Sequence, residues 1–343
     1  MKGTEALKIN EIGEFGLIES IKKDCITSLE GVVKGIGDDC AVFHSSSGRV
    51  LLLTTDMLVE DIHFLRNTIT PYQLGRKAIA VNLSDIAAMG GTPLVTLISL
   101  AISSHTEVEE IQKLYRGMRD ICGLYSVNIV GGDTVSSPDN LIINVSLIGD
   151  ANEQEVLYRS GARPGDKIYL TGTLGDSSAG LSILRHEISP QESLRGHFIK
   201  IHNEPEPLIE TGKVIAGSRL ASAMIDLSDG LLSDLGHICE ESRVGALLLR
   251  DKVPLSEELK NLAAHAGFDP LDFALSGGED YILLVTVPAT KTRDFELAYK
   301  NGTSSPLFLI GDIREEMGIR IMNENGSAQD LVPKGFDHFS HPW

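Results

Sequence analysis

Apolar positions fall into short continuous runs, separated by longer stretches in which apolar and polar residues recur at helical spacing. VLLLT (50–54), PLVTLISLAI (93–102), NIV (128–130) and LIINVSLIG (141–149) have the length and composition of strands. Between them the pattern predicts a helix from Thr70 to Gly90 and another across Glu107 to Leu124. Thr70-Pro71 supplies an N-cap followed by proline at the first helical position, and Gly90-Gly91 supplies a stop. The alternation then repeats: KIYLTG precedes SSAGLSILRH, SAMID precedes GLLSDLGHICEES, and DYILLVTVP lies near the end. The expected class is α/β or α+β, two alternatives that periodicity does not separate. GDANEQEV breaks the apolar runs near residue 150, which predicts domains at 1–150 and 151–343. Residues 186–207 are polar, contain Pro190, Pro205 and Pro207, and read as a loop or lid.

One predicted helix raises a chemical question. GRKAIAVNLSDIAAMGG is apolar on nearly every face, which marks a buried helix, yet Asn82 and Asp85 share one side of it. A buried carboxylate needs a cationic partner or a metal ion. Asp85 has company: Asp38 and Asp39 follow GIG, Asp56 ends VLLLTTD, Asp133 follows NIV and two glycines, and Asp226 and Asp229 follow SAMI. Carboxylates at strand ends beside glycines sit where open α/β sheets place ligand contacts. With the hydroxyls of Thr54, Thr55 and Ser228 they form an all-oxygen donor set, suited to magnesium, manganese or calcium rather than zinc. Glycine loops at 131–133 and 171–180 can bring backbone N–H groups to phosphate oxygens. No G-x-x-x-x-G-K-[ST] motif occurs, and GIGDDC has Cys40 where a dinucleotide fingerprint needs its third glycine.

Composition narrows the alternatives. The 343 residues are 42% hydrophobic and 23% charged, as in a folded globular protein. The net charge of −18, without a long acidic block, argues against nucleic acid and anionic membrane as partners. A phosphorylated ligand would therefore need positive charge from outside the chain. Cys25, Cys40, Cys122 and Cys239 are far apart and form no C-x-x-C pair, so buried reduced thiols are expected. MKGTEALKIN is no apolar leader and no run reaches membrane-spanning length, so the expected location is the cytoplasm.

GIGDDCAVF, LLLTTDMLVEDIHF, KAIAVNLSDIAAMGGTP, IVGGDT, YRSGARPGDKIYLTG, IDLSDGLLSDLG, LSGGEDY and KGFDHF together resemble, in order, the thiamine-monophosphate kinase family. The likeness runs from about Gly13 to Phe339. It implies an N-terminal α/β domain whose sheet pairs with its twin in a homodimer, and a C-terminal α/β domain over it. It also implies ATP-dependent phosphorylation of thiamine monophosphate to thiamine diphosphate with several Mg²⁺ ions. By the same resemblance Asp39, Thr54, Thr55, Asp56, Asp85, Asp133, Asp226 and Asp229 are expected to bind the ions. Gly132, Asp133, Arg159 and Ser228 are expected at ATP, and His63, Glu279 and Phe336 at the thiamine compound. The acceptor is an already ionised phosphate, so catalysis needs positioning and charge neutralisation rather than a general base. One position departs from the family pattern H-x-x-P-x-P-R: here HNEPEPL places Leu208 where arginine is usual. A selenophosphate-synthesising relative would want a reactive N-terminal cysteine, and Cys25 lacks a glycine-rich setting. A non-catalytic nucleotide or metal sensor is the remaining alternative.

Overall fold

The computed structural model describes residues 8–22, 25–332 and 339. Its first half runs α1 (Ile9–Ile21), β1 (Val32–Lys34), β2 (Ala41–Ser46), β3 (Arg49–Val59), α2 (Pro71–Ala88), β4 (Thr92–Ser103), α3 (Val108–Leu124), β5 (Asn128–Ser137) and β6 (Ile142–Asn152). Then come β7 (Lys167–Leu170), α4 (Asp176–Leu184), α5 (Glu192–Asn203), α6 (Ile209–Ser218), β8 (Ala223–Asp226), α7 (Leu231–Ser242) and β9 (Gly245–Leu249). The chain closes with α8 (Glu257–Ala266), α9 (Pro270–Ser276), β10 (Leu283–Val287), α10 (Thr292–Gly302), β11 (Phe308–Arg314), β12 (Gly318–Met322) and β13 (Ala328–Leu331).

Two mixed sheets organise these elements. The first has the order β1-β2-β3-β6-β4-β5, antiparallel except for the β4/β5 pair. The second has the order β13-β12-β9-β11-β7-β10-β8, antiparallel except for β12/β9. No helix of the described residues is long and apolar enough to cross a membrane.

Helix α2 is the centre of the molecule. Thr70 caps it by accepting from the N–H of Gln73, and Gly90 stops it at φ 71°. A Cβ on Gly75 would sit 2.0 Å from the Leu114 carbonyl oxygen in α3, and one on Gly212 in α6 would sit 2.1 Å from that of Ala87. Those glycines let three helices approach backbone to backbone. With one face on β3, β6 and β4 and others under α3 and α6, every side of α2 is covered, which accounts for its apolar composition. The same apolar core continues into the second half through Ile215, Met224, Val285 and Phe295.

Three expectations are corrected. The segment 186–207 is no open loop: α5 lies inside it and buries Phe198, whose carbonyl closes against Gly180 of α4. Strand β3 continues to Val59, held across its whole length by β6, so Asp56 lies within a strand rather than at its end. Asp133 likewise lies inside β5. Cys40, Cys122 and Cys239 are buried thiols, but Cys25 is exposed.

Candidate active site

A cleft of about 480 Å³ lies where β3, α2, the loop before β2 and the ends of β8 and β10 converge. The chain reaches it from distant places. Asp39 comes from the Gly35–Cys40 turn, Thr54 and Asp56 from β3, Asp85 from α2, and Asp226 and Asp229 from β8 and the loop after it. Carboxylate oxygens of Asp39, Asp85 and Asp226 lie within 4.8 Å of one another. Thr54 Oγ1 donates to Asp85, Ser84 Oγ donates to Asp226 at 2.5 Å, and the Asp56 N–H donates to Asn82 at 3.2 Å. Arg159 forks onto Asp39 Oδ1 through Nε at 2.9 Å and Nη2 at 2.5 Å. Asp39 Oδ2 is buried with no hydrogen-bond partner.

Burial pushes these carboxyls up: Asp39 and Asp229 to about 7, Asp56 and Asp226 to about 6, and Asp85 well above its usual range. Neighbouring aspartates add to the effect on Asp85, and Arg159 offsets only part of it at Asp39. Such a cluster repels itself, and bound cations would relieve it. Asp85 has a hydroxyl partner and, among the described residues, no ion pair; the salt-bridge alternative for this residue finds no support. Asp38 differs, being ion-paired with Lys34 at 3.2 Å. A second group, Asp229, Asp234 and His237, borders the same cleft, with Phe15 of α1 against the His237 ring at 4.8 Å.

The opposite end of the cleft is charge-balanced. Lys77, 1% exposed, lies 2.9 Å from Glu279 Oε1, and His202 Nδ1 lies 3.2 Å from Glu279 Oε2. Burial alone would raise the Glu279 carboxyl, but Lys77 and His202 hold it below its ordinary value. The loop that carries it is strained, with φ 64° at Glu279 and 50° at Tyr281. Backbone bonds fix it, from the Glu279 N–H to the Ser228 carbonyl at 2.7 Å and from the Tyr281 N–H to the Leu227 carbonyl at 2.8 Å. Gly278 permits that approach: a Cβ there would lie 2.5 Å from the Ser228 oxygen. His63 also lines the cleft, with Nδ1 accepting the Val59 N–H at 3.0 Å.

Of the residues singled out in the sequence, the cleft gathers Asp39, Thr54, Thr55, Asp56, Asp85, Arg159, Asp226, Ser228, Asp229, His63 and Glu279. Thr55 borders it, but strand alternation turns its hydroxyl to the other face, where it bonds Ser146 Oγ at 3.0 Å. Gly132 and Asp133 are not in the cleft of this chain. They lie on the exposed edge strand β5, and the paired row Met57, Asn144, Ser99, Asp133 puts Asp133 about 14 Å from β3 at ordinary strand spacing. Phe336 lies outside the described residues. The glycine loop 171–180 is also not open to a phosphate: the Gly175 N–H, at the start of α4, donates to the Asp280 carboxylate at 3.1 Å. Leu208 packs against the core as the N-cap residue of α6, and Arg185 is a further cation lining the cleft.

Lys77 and His202 were not foreseen. Lys77 sits in the first half of a helix otherwise apolar, where a lysine can read as a solvent-facing residue; its partner is 202 positions away. The signal that could have found it is the spacing 77, 81, 85, which places Lys77, Val81 and Asp85 along one side of α2.

Comparison with known proteins agrees with this geometry. Residues 37–151 match the family described as AIR synthase related protein, N-terminal domain, and residues 163–321 match the corresponding C-terminal domain. The thiamine-monophosphate kinase of Aquifex aeolicus (strain VF5) is 39% identical over 97% of this chain and 100% of its own length. That of Bacillus subtilis (strain 168) is 37% identical over 95% of this chain and 99% of its own. A solved structure described as AaThiL complexed with AMPPCP and TMP superposes with a TM-score of 0.85 at 37% identity, covering 98% of this chain and all of that one. In sequence, in both matched domains and in fold, the chain belongs to the thiamine-monophosphate kinases of the AIR synthase related family.

Proposed function

We propose that the protein transfers the terminal phosphoryl group of ATP to the phosphate of thiamine monophosphate, producing thiamine diphosphate and ADP. The observation that carries this reading is the polarity of one cleft. Its acidic end has too few cations of its own, and its other end presents an ionised carboxylate suited to a cationic ring. The structure described as AaThiL complexed with AMPPCP and TMP holds analogues of both substrates on the same fold.

Mg²⁺ fits the acidic end by its all-oxygen donors, by the orphaned Asp39 oxygen and by the raised carboxyls. Asp39, Thr54, Asp56, Asp85, Asp226 and Asp229 would hold it, with Thr55 contributing no hydroxyl from its present rotamer. When bound, the ions supply charge neutralisation between donor and acceptor phosphates. The chain's own part is to hold the two anions in line. Arg159 offers a guanidinium fork to phosphate once it is released from Asp39, and Ser228 lies beside it in the cleft. Glu279 and His63 face the ring end. The aspartates are needed as ionised ligands, and the acceptor oxygen is itself the nucleophile, so transfer is direct.

The reading also gives residues 1–150 the ion, nucleotide and dimer contacts, with 151–343 closing the cleft, and places the protein in the cytoplasm. A second copy fits the first sheet: its face opposite α2 bears Met57, Leu97 and Thr55, and β5 is an exposed edge carrying Val130 and Val135. Gly132 and Asp133 would then enter a nucleotide site at that junction. The mass in solution tests this, and a monomer at micromolar concentration would remove both residues from the site.

The activity is tested by ADP release with ATP, Mg²⁺ and either thiamine monophosphate or free thiamine. Turnover with the monophosphate alone is expected, and equal turnover with thiamine would end the two-phosphate reading. Incubation with γ-labelled ATP alone should leave the protein unlabelled, since no phosphoenzyme is formed.

A further inference from the structure

Glu279 differs from the aspartates of the cleft in arriving with its counter-charge in place. Lys77 Nζ lies 2.9 Å from Oε1 and 3.1 Å from Oε2 of that carboxylate, and donates to the His202 carbonyl at 3.0 Å. An ammonium has three N–H groups. These three acceptors engage all of them, so Lys77 has none to offer a substrate phosphate without giving up a bond it already makes. His202 completes the support from the other side, with Nδ1 3.2 Å from Glu279 and 3.2 Å from Ser177 Oγ. Burial and the adjacent Lys77 push its imidazole down to about 4, so near neutral pH it serves as a neutral hydrogen-bonding ring. Lys77 and His202 are nine-tenths or more buried, while Glu279 remains a quarter exposed toward the cleft.

Resting on the kinase reading above, we infer that Lys77 is a positioning residue: it fixes the Glu279 carboxylate, ionised and in one orientation, as the recognition group for the cationic, amine-bearing ring end of the acceptor. It acts through Glu279 and touches neither phosphate. A carboxylate at this depth would otherwise face two alternatives, protonation or collapse onto other donors, and either would blunt its selectivity for a cation. Lys77 removes both. Its own position is set by α2, the best-packed helix of the molecule, rather than by a loop.

The experiment is a double-mutant cycle on the full-length protein, using Lys77→Met, Glu279→Gln and the two together, with ATP, Mg²⁺ and thiamine monophosphate as the probe. Lys77→Met is expected to raise KM for thiamine monophosphate by about 10- to 100-fold, while kcat and the KM for ATP change by less than about threefold. The double variant, which removes both charges together, should match Glu279→Gln within about threefold. That comparison still decides if Lys77→Met alone fails to fold because it strands a buried charge. A double variant that is worse than Glu279→Gln by the full Lys77→Met factor would show that Lys77 has its own contact with substrate and overturn the inference. A well-folded Lys77→Met with unchanged KM would overturn it too. Wild-type protein without turnover would instead overturn the kinase reading, and this inference with it.

Discussion

The two ends of the cleft bury charge in opposite ways. At one end, Asp39, Asp56, Asp85, Asp226 and Asp229 share a single guanidinium, that of Arg159, and their carboxyls are pushed toward neutrality. At the other, Glu279 has Lys77 and His202 within hydrogen-bonding distance and is held ionised. Burial is comparable, so the difference lies in compensation. An uncompensated cluster stores repulsion until a ligand arrives, whereas a compensated one is organised in advance. The metal-binding end is built to be completed, and the ring-binding end is complete already.

The sharpest way to break this contrast is Asp85→Asn. Loss of a ligand for a bridging cation should lower turnover by about 10³-fold or more. The metal-free variant should melt no lower than wild type, because one repulsive charge is gone, and MgATP should raise its melting temperature much less. A variant that melts far lower without ligand, yet keeps a normal MgATP shift, would make Asp85 structural.

Proton linkage gives a smaller effect of definite sign. Carboxyls whose folded pKa values are raised above the unfolded ones bind more protons when folded, so they cost stability as pH rises. For Asp39, Asp56, Asp226 and Asp229 the loss runs from about pH 4 to about pH 7. Millimolar Mg²⁺ should therefore raise the melting temperature more at pH 7.5 than at pH 5. A shift that is equal at both values would mean that the ions do not bind this cluster.

The smallest effect separates neighbours. Thr54→Val removes the Asp85 partner and should cost activity at least about tenfold. Thr55→Val removes a hydroxyl engaged with Ser146 on the other face, and should change kcat/KM by less than about fivefold. Equal losses in both would return the Thr55 hydroxyl to the ion site.

These contrasts were unevenly legible in the sequence. The acidic end could be read because Asp85 interrupts an apolar helix and the other aspartates recur beside glycines. Its extent could not, since the pairing of β3 with β6 carries the strand past three polar residues, Thr54, Thr55 and Asp56. Helix α5 was hidden because prolines at both ends of 186–207 mask a 12-residue amphipathic segment that buries only Phe198, His202 and Asn203. The Lys77–Glu279 pair was invisible for another reason: its members are chemically ordinary alone, and only the fold makes them neighbours. Asp133 shows the converse, a residue prominent in sequence that one copy of the chain leaves at an edge.

Helix α2 links both ends of the cleft. Lys77 and Asp85 are eight residues apart on it, a rise of about 12 Å. Because glycines lock this rod against α3 and α6, that interval cannot stretch or turn independently of the core. The helix thus works as a caliper. One jaw is set where the phosphates meet and the other where the ring is gripped, and a compound is measured by whether it spans the gap. A single-residue insertion between the jaws, at Val81 for instance, would rotate one by about 100° relative to the other. Both could then keep their local chemistry while the protein lost its gauge for length.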